Sequence, residues 1–396
     1  MQAEINCYGI MHILEIPSFF PPNGGLFCLN QAKALKSLGH EVRILSHVQL
    51  GVTTGIKDFL SLPIGRHWNE MDGIVVYQSY QRGLPKVIRY NVRHWIYVVC
   101  SMFEDYVERC GKPVILHAHC AKWAGYAAMK IGQEYDIPYV VTEHLPLMLL
   151  EEEYGKAPSN AWQIPLVKEV YERADMVIPV SEELVDDIAC YYGKDYRWHY
   201  LSNTIDTDFY CYRARAPREG RTFRFCCLAD YYYRKGYDVL FAAVRQLQER
   251  GLSIELHVAG LFTDGSKCRA EIERIGLKGV KTYGRIDKQG VRELLYQCDA
   301  LVLASRSEVQ PLVLLEAMST GIPVVSTECI PRCLRIKDAC TIVPVNDAEA
   351  LAVAMQSVME HDTDGRASSE AVRQMASPEA VGKKLEDIFN EVVASR

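Results

Sequence analysis

Metal-binding spacing is missing from this chain. Its fourteen cysteines include no CxxC pair and no Cys/His cluster spaced for zinc, and Cys329 with Cys333, as CxxxC, comes nearest. Several cysteines stand in apolar runs, Cys226 and Cys227 in FRFCCLA and Cys298 in LLYQCDALVLA. They read as small buried hydrophobes kept reduced. A basic excess is missing too. The formal net charge of −6 argues against a partner gripped through a phosphate backbone, so nucleic acid is not expected. No stretch reaches the roughly 20 apolar residues of a membrane-spanning helix. The opening MQAEINCYG is short and polar, unlike a secretory leader. The expectation is a cytoplasmic chain.

Apolar residues, in contrast, are plentiful. At 49% hydrophobic over 396 residues, the chain can bury the cores of two domains. Short β-like runs alternate with helical stretches. IMHILEI, EVRILS, GIVVYQ, PVILHAH, PYVVTEH and MVIPVS read as strands. Between the first two, Leu26, Leu29, Ala32, Leu35 and Leu38 recur on one helical face. Around residues 202–222 the texture turns polar and basic, with Pro217 and Gly220, and a boundary belongs there. The alternation then restarts with FRFCCLA, LSIELHVAG, VKTYGRI, DALVLAS, IPVVST and CTIVPV. The fold class is therefore α/β, two tandem Rossmann-like, doubly wound parallel-sheet domains. The domains are placed at 1–205 and 206–375. A last segment, 376–396, is an amphipathic helix striped by Val381, Leu385, Ile388, Phe389 and Val392. In such sheets ligands bind beyond the carboxyl ends of the strands, so an interdomain cleft is the expected site.

Candidate site residues follow from that placement. In SRSEVQPLVLLEAMSTG, Glu308 falls in the loop after a strand and Glu316 inside the next helix. Pro311 suits the first turn of that helix and Gly321 its end. The free amides of Leu312, Val313 and Leu314 favour an anion such as a phosphate. Glu316, among apolar neighbours, needs a partner: sugar or ribose hydroxyls, or a basic side chain in the core. Gly24 and Gly25 in PPNGG follow a strand and precede a helix, which lets amides approach a phosphate. Arg234 and Lys235 in YYYRKG take the equivalent place in the second domain and can clamp a diphosphate. His117 and His119 in HAHC end a strand and are expected on opposite faces, one in the core and one toward the cleft. Asp206 and Asp208 form a DxD at the domain junction, read as turn chemistry rather than a metal site. Arg82, Lys86, Arg89 and Arg93, beside Trp95 and Ile96, fall on one helical face with no acid until Glu104. That face is either simply solvated or a peripheral contact with an anionic membrane or a phosphorylated acceptor.

The ordered motifs MHILEIPSFFPPNGG, ILHAH, PYVVTEH, ADMVIPVSEEL, NTIDTDFY, RKGYDVL and SEVQPLVLLEAMSTGIPVV resemble those of the retaining GT-B-fold glycosyltransferases, specifically glycosyltransferase family four (group 1). The last carries the family's E-x7-E signature. The resemblance covers nearly the whole chain. It implies an N-terminal acceptor domain, a C-terminal nucleotide-sugar donor domain and a last helix packed back on the first. It implies that Glu308 faces the donor sugar and Glu316 the ribose. Lys235 would neutralise the leaving phosphate, and Gln310 with the amides after it would reach sugar and diphosphate. Gly284, Arg285 and Ile286 would read the base. Gly25 would approach the diphosphate, and His119 would sit near the reaction centre. Glu143 and His144 of VTEH become acceptor-side candidates. The implied enzyme is a hexosyltransferase-type catalyst with no cofactor and no metal. Its partners are a nucleotide-diphosphate-sugar co-substrate and a glycan or lipid-linked acceptor. The sequence departs from the family at Asp230, where an arginine is usual, at Gln310 and Pro311, and at Thr204. Asp230 motivates an alternative, a non-catalytic nucleotide-sugar-binding subunit of a polysaccharide assembly complex. An epimerase or phosphorylase of like architecture is the remote option.

Overall fold

A computed structural model describes residues 9–21, 24–50, 60–61, 63, 65–84, 87–215 and 220–396. The chain divides into two compact units, Met1–Thr204 with Pro378–Arg396, and Ile205–Ser377.

The first unit is built on a seven-stranded sheet. Its strands are β1 (His12–Pro17), β2 (Glu41–Leu50), β3 (Arg66–Met71), β4 (Ile74–Arg82), β5 (Ile115–His119), β6 (Tyr139–Glu143) and β7 (Met176–Pro179), in the order β3-β4-β2-β1-β5-β6-β7. The six apolar runs all became strands, and these six pair in parallel. The buried runs are apolar on both faces because helices cover both. Edge strand β3 was not foreseen, since RHWNEM has no alternation. It pairs antiparallel with β4. A signal for it did exist in the turn Asp72-Gly73, whose φ values of 49° and 80° suit a tight hairpin.

The C-terminal helix Pro378–Ala394 belongs to this first unit. Its expected stripe, Val381, Leu385, Ile388, Phe389 and Val392, is buried. It lies against helix Leu26–Ser37, and Gly382 permits close approach, since a Cβ there would come within 3.1 Å of the Ala34 carbonyl oxygen. In helix Leu26–Ser37 the expected stripe is only partly right, because Leu26 is exposed.

The basic segment is divided differently from the expected single helical face. Arg82 is the last residue of β4, Lys86 lies outside the described residues, and the helix spans Ile88–Cys110. Only Arg89 and Arg93 of the four share it. Trp95 is buried and donates its indole N–H to the His47 carbonyl at 2.6 Å. The intended surface anchor is a core residue.

The second unit carries six parallel strands: β8 (Phe223–Leu228), β9 (Ile254–Ala259), β10 (Val280–Thr282), β11 (Ala300–Leu303), β12 (Val324–Thr327) and β13 (Cys340–Val343). Their order is β10-β9-β8-β11-β12-β13. Each answers to one of the six apolar runs of the second half. The order reverses at β8, so the loops after β8 and β11 meet at the carboxyl edge, where such sheets bind ligands. Among the described residues no helix is long and apolar enough to cross a membrane.

Candidate functional site

The loops after β8 and β11 bring Glu308, Lys235 and Arg234 together. Lys235 Nζ lies 2.5 Å from Glu308 Oε1, and Arg234 Nη1 lies 3.3 Å from Oε2. Ser305 Oγ donates to Oε1 at 2.6 Å. The Glu308 side chain is only 6% exposed, so the carboxylate is closed between two cations. Helix Leu312–Thr320 starts just beyond, with Pro311 at its N-cap, one position before the first turn. Of the three amides expected to be free, that of Leu314 is taken by the Pro311 carbonyl at 3.1 Å. Those of Leu312 and Val313 find no acceptor among the described residues. Two cations and two open amides thus share one edge, a ready anion site.

Arg306, which sequence reasoning missed, fastens the two loops. Its backbone N–H donates to the Arg234 carbonyl at 2.8 Å, and its guanidinium forks onto Asp238 at 3.0 and 2.7 Å. The same guanidinium reaches Asn346 and stacks on the Tyr233 ring at 4.0 Å. Asp230 Oδ1 accepts the Leu261 N–H at 2.7 Å and ties the loop after β9 to the loop after β8. At the base-reading candidates, Gly284 bonds Gly260 through its carbonyl and Thr263 Oγ1 through its amide. Arg285 is exposed and Ile286 half-buried. Gln310 is buried and already engaged with the chain.

Glu316 sits in the interior-facing helix as expected. Burial pushes its carboxyl up to about 7, against the opposing pull of the Tyr210 hydroxyl and Lys288. A carboxyl that titrates near neutrality accepts hydroxyl hydrogen bonds best above that pH. The DxD carboxylates are spent on turn and ion-pair contacts. Asp206 caps the Phe209 N–H at 3.0 Å and pairs with Lys288 at 2.9 Å, while Asp208 pairs with Arg373 at 2.8 Å.

In the first unit, the strand ends assemble a second constellation. His117 and His119 do not take opposite faces. Residues two apart on a strand share a face, and both imidazoles converge on Glu15 Oε2, with His117 Nδ1 at 2.8 Å and His119 Nε2 at 2.7 Å. The register explains this, since β1 pairs Glu15 with His117 and Pro17 with His119. All three residues are fully buried. Burial alone would raise the Glu15 carboxyl, but the two imidazoles hold it down to about 2. His119 is lowered to about 4 by burial and by its neighbour His117, with Glu15 opposing. The three side chains are close enough to suggest a metal set. Contacts of 2.7 and 2.8 Å to one oxygen are hydrogen-bond distances. Glu15 was missed, although an acid inside ILEI was a signal, because a buried carboxylate needs partners.

Glu143 is a structural carboxylate. It accepts from Ala121 N at 2.9 Å and Tyr171 OH at 2.6 Å, and from the amides of His144 and Leu145 at 2.8 and 2.9 Å. These four donors hold the carboxylate in place at the strand end. His144 stacks on Phe27 at 3.8 Å, and its Nε2 has no partner among the described residues. Burial, then His119 and His117, keep its imidazole well below the usual range. Gly25 opens helix Leu26–Ser37 at φ 81°, and Gly24 precedes it at φ 88°. Beside them lies a cavity of about 300 Å³ lined by Ser18, Phe19, Gln49, Trp95, Lys122 and Trp123, among others. The Trp123 indole N–H has no hydrogen-bond partner among the described residues.

Two parallel-sheet α/β units, each with polar groups gathered at its strand ends, define a two-domain Rossmann-like architecture. Family comparison makes this specific. Residues 24–209 match the model described as glycosyltransferase family 4, and residues 222–361 match that of glycosyl transferases group 1. The chain belongs to glycosyltransferase family four (group 1) and has the GT-B fold. It is 24% identical over 337 residues to a Bacillus subtilis protein named as a teichuronic acid biosynthesis glycosyltransferase (TuaC), covering 80% of this chain and 81% of that one. It is 27% identical over 281 residues to a glycogen synthase of Mycobacterium tuberculosis, covering 67% of this chain and 65% of that one, just under two thirds of that relative's length. Among solved structures, sucrose-phosphate synthase from Thermosynechococcus elongatus superposes with a TM-score of 0.78 at 16% identity, covering 97% and 100% of the two chains. Anabaena HepE in complex with UDP and glucose gives 0.70 at 16% identity, covering 96% and 99%.

Proposed function

We propose that this glycosyltransferase moves a sugar from a nucleotide-diphosphate donor to a glycan or lipid-linked acceptor, with retention and without a metal ion. The observation that carries the reading is the Lys235–Glu308–Arg234 set beside the open amides of Leu312 and Val313. Cations and helix-end amides there supply the positive field a departing diphosphate needs, in place of a divalent ion. In this reading Glu308 meets the sugar once phosphate takes its cations, and Glu316 meets the ribose. Retention follows the family resemblance, by a front-face route in which the leaving phosphate takes the acceptor proton. The cavity at Trp95 and Trp123 is offered to the acceptor, since aromatic walls and an unpaired indole N–H suit a sugar ring. The catalytic reading is preferred to the binding-only alternative because Asp230 has a loop-holding contact of its own with Leu261.

The purified chain, incubated with a panel of nucleotide-diphosphate sugars and glycan acceptors, is expected to release nucleotide with at least one donor. Glu308→Ala is expected to abolish that release. Unchanged release in the variant would sink the site assignment, and binding without turnover would revive the binding-only subunit.

Peripheral contact with anionic lipid is the second part of the proposal. Arg89 and Arg93 share the face of helix Ile88–Cys110 near exposed Leu84, Val87, Tyr90 and Tyr97. No carboxylate pairs with either arginine among the described residues. Arg89 also lies over the Trp162 ring, 5.1 Å from its centroid, and apolar anchors beside cations that no carboxylate neutralises suit a membrane surface. Cosedimentation with phosphatidylglycerol vesicles at low salt is expected to weaken roughly tenfold in an Arg89→Glu, Arg93→Glu double variant. Equal pelleting of the two proteins would dispose of the idea.

A further inference from the structure

Phe262, in the loop after β9, is bent into a backbone conformation that a bulky residue seldom takes. Its φ is 67°, in the left-handed region where Cβ crowds the following carbonyl. Its ring is 53% exposed, so burial recovers little of that cost. The loop imposes the conformation. The Gly265 N–H donates to the Phe262 carbonyl at 3.0 Å, and the Thr263 N–H and hydroxyl both donate to the Gly260 carbonyl, at 3.2 and 2.9 Å. Thr263 Oγ1 accepts the Gly284 N–H at 3.1 Å. Leu261, just before Phe262, is held by both its backbone groups to the loop after β8. Its N–H donates to Asp230 Oδ1 at 2.7 Å, and its carbonyl accepts the Tyr231 N–H at 2.8 Å. The Phe262 ring meets Tyr232 edge to face, 5.9 Å between centroids. Tyr232 is itself 47% exposed, and its carbonyl accepts the Lys235 N–H at 2.9 Å. An open aromatic pair is thus fastened to the turn that carries Arg234 and Lys235. Every one of these groups belongs to the second unit.

We propose that Phe262 is the platform on which the donor's nucleobase stacks, and that Asp230 is the positioning residue that holds the platform beside the cations. The inference rests on the glycosyl-transfer reading above. Backbone strain kept at an exposed ring, with no burial to offset it, belongs to ligand contacts. A nucleoside diphosphate has an anionic end and a flat end, and this edge of the sheet offers cations for the one and an aromatic face for the other. Every base has a π-face, so the stacking supplies affinity for the nucleoside without selecting among bases. Asp230, which stands where the family usually has arginine, gains a part in donor binding through its contact with Leu261 and without touching the donor.

Calorimetry on the full chain tests it with UDP, GDP and ADP, and with inorganic pyrophosphate, which has the charge and no base. Phe262→Gly is expected to weaken the nucleoside diphosphate that the wild type binds best roughly tenfold, the worth of one base stacked on one ring. Pyrophosphate binding should not change. The variant's denaturation midpoint should be no lower than the wild type's, since glycine takes a positive φ without strain. Phe262→Trp should keep the affinity. The five tryptophans of the chain all lie at or before Trp198, so the emission this variant adds reports on the loop. Nucleoside diphosphate should quench it and pyrophosphate should not. Asp230→Ala should show the same tenfold loss, and Asp230→Asn, which keeps the accepting oxygen, should restore most of the affinity. Unchanged nucleotide affinity in Phe262→Gly, an equal loss for pyrophosphate, or a lowered midpoint would overturn the platform. Tighter pyrophosphate binding in both Asp230 variants would make that carboxylate an electrostatic group and overturn its positioning role. Nucleotide release by the wild type is read separately. Variants that bind like a working wild type sink this inference alone, whereas a wild type that neither binds nor releases nucleotide sinks the reading beneath it.

Discussion

Replacing Lys235 by alanine is expected to lower kcat/KM roughly 10²- to 10³-fold, the usual cost of removing one preorganised group that stabilises developing negative charge. The same change leaves Glu308, a nearly buried carboxylate, with only Arg234 at 3.3 Å and Ser305 at 2.6 Å. Stability should fall by about 1–3 kcal/mol, since a lost partner strands part of a buried charge. Arginine at the position should restore most of the stability and only part of the turnover, because its fork does not reproduce a point charge. A Lys235→Met, Glu308→Gln double variant separates the two effects. It should recover stability, measured as the denaturation midpoint, and remain inactive. Retained turnover in Lys235→Ala alongside lost stability would make the pair a structural contact only.

Gly25→Ala should be the most destabilising glycine-to-alanine change among the described residues of the first unit. A Cβ at Gly25 would lie 1.8 Å from the Phe19 carbonyl oxygen and 2.9 Å from the Phe20 Cα. Backbone meets backbone, so no rotamer relieves the clash, and the positive φ adds its own strain. A loss on the order of 3–5 kcal/mol is expected, enough to deplete folded protein. Gly24 is the contrasting case. Its φ is 88°, but a Cβ there would meet nothing within 4 Å. Gly24→Ala should cost only about 1 kcal/mol. If a diphosphate approaches this turn, the same variant should raise the donor KM roughly tenfold, since the methyl occupies the space the anion needs. An unchanged donor KM in Gly24→Ala would remove the turn from the donor site and leave Gly25 a purely architectural glycine.

The strands of both sheets were legible because parallel strands covered on both faces must be continuous apolar runs. The helix after Glu308 was legible because proline and glycine punctuate it. Strand β3 escaped because an edge strand carries no such run, and only its Asp-Gly turn betrayed it. The basic face failed at Arg82, where helical spacing was carried across a strand end. The Lys235–Glu308 contact joins residues far apart in sequence, and no local pattern shows how closely the carboxylate is held. The convergence of His117, His119 and Glu15 depended on register. Once β1 lies beside β5 the shared face follows, but neither strand alone says which neighbours it will have. Glu143 looked like a candidate for chemistry because an acid before a histidine at a strand end is ambiguous. Only its four donors reveal that it holds the loop.

The first unit closes with the last helix of the chain, and Phe389 packs edge-on against the His117 ring at 5.2 Å between centroids. The second unit, Ile205–Ser377, is contiguous, whereas the first is assembled from segments on either side of it. The core that holds the imidazole cluster is therefore incomplete until a helix encoded after the whole of the second unit has been made.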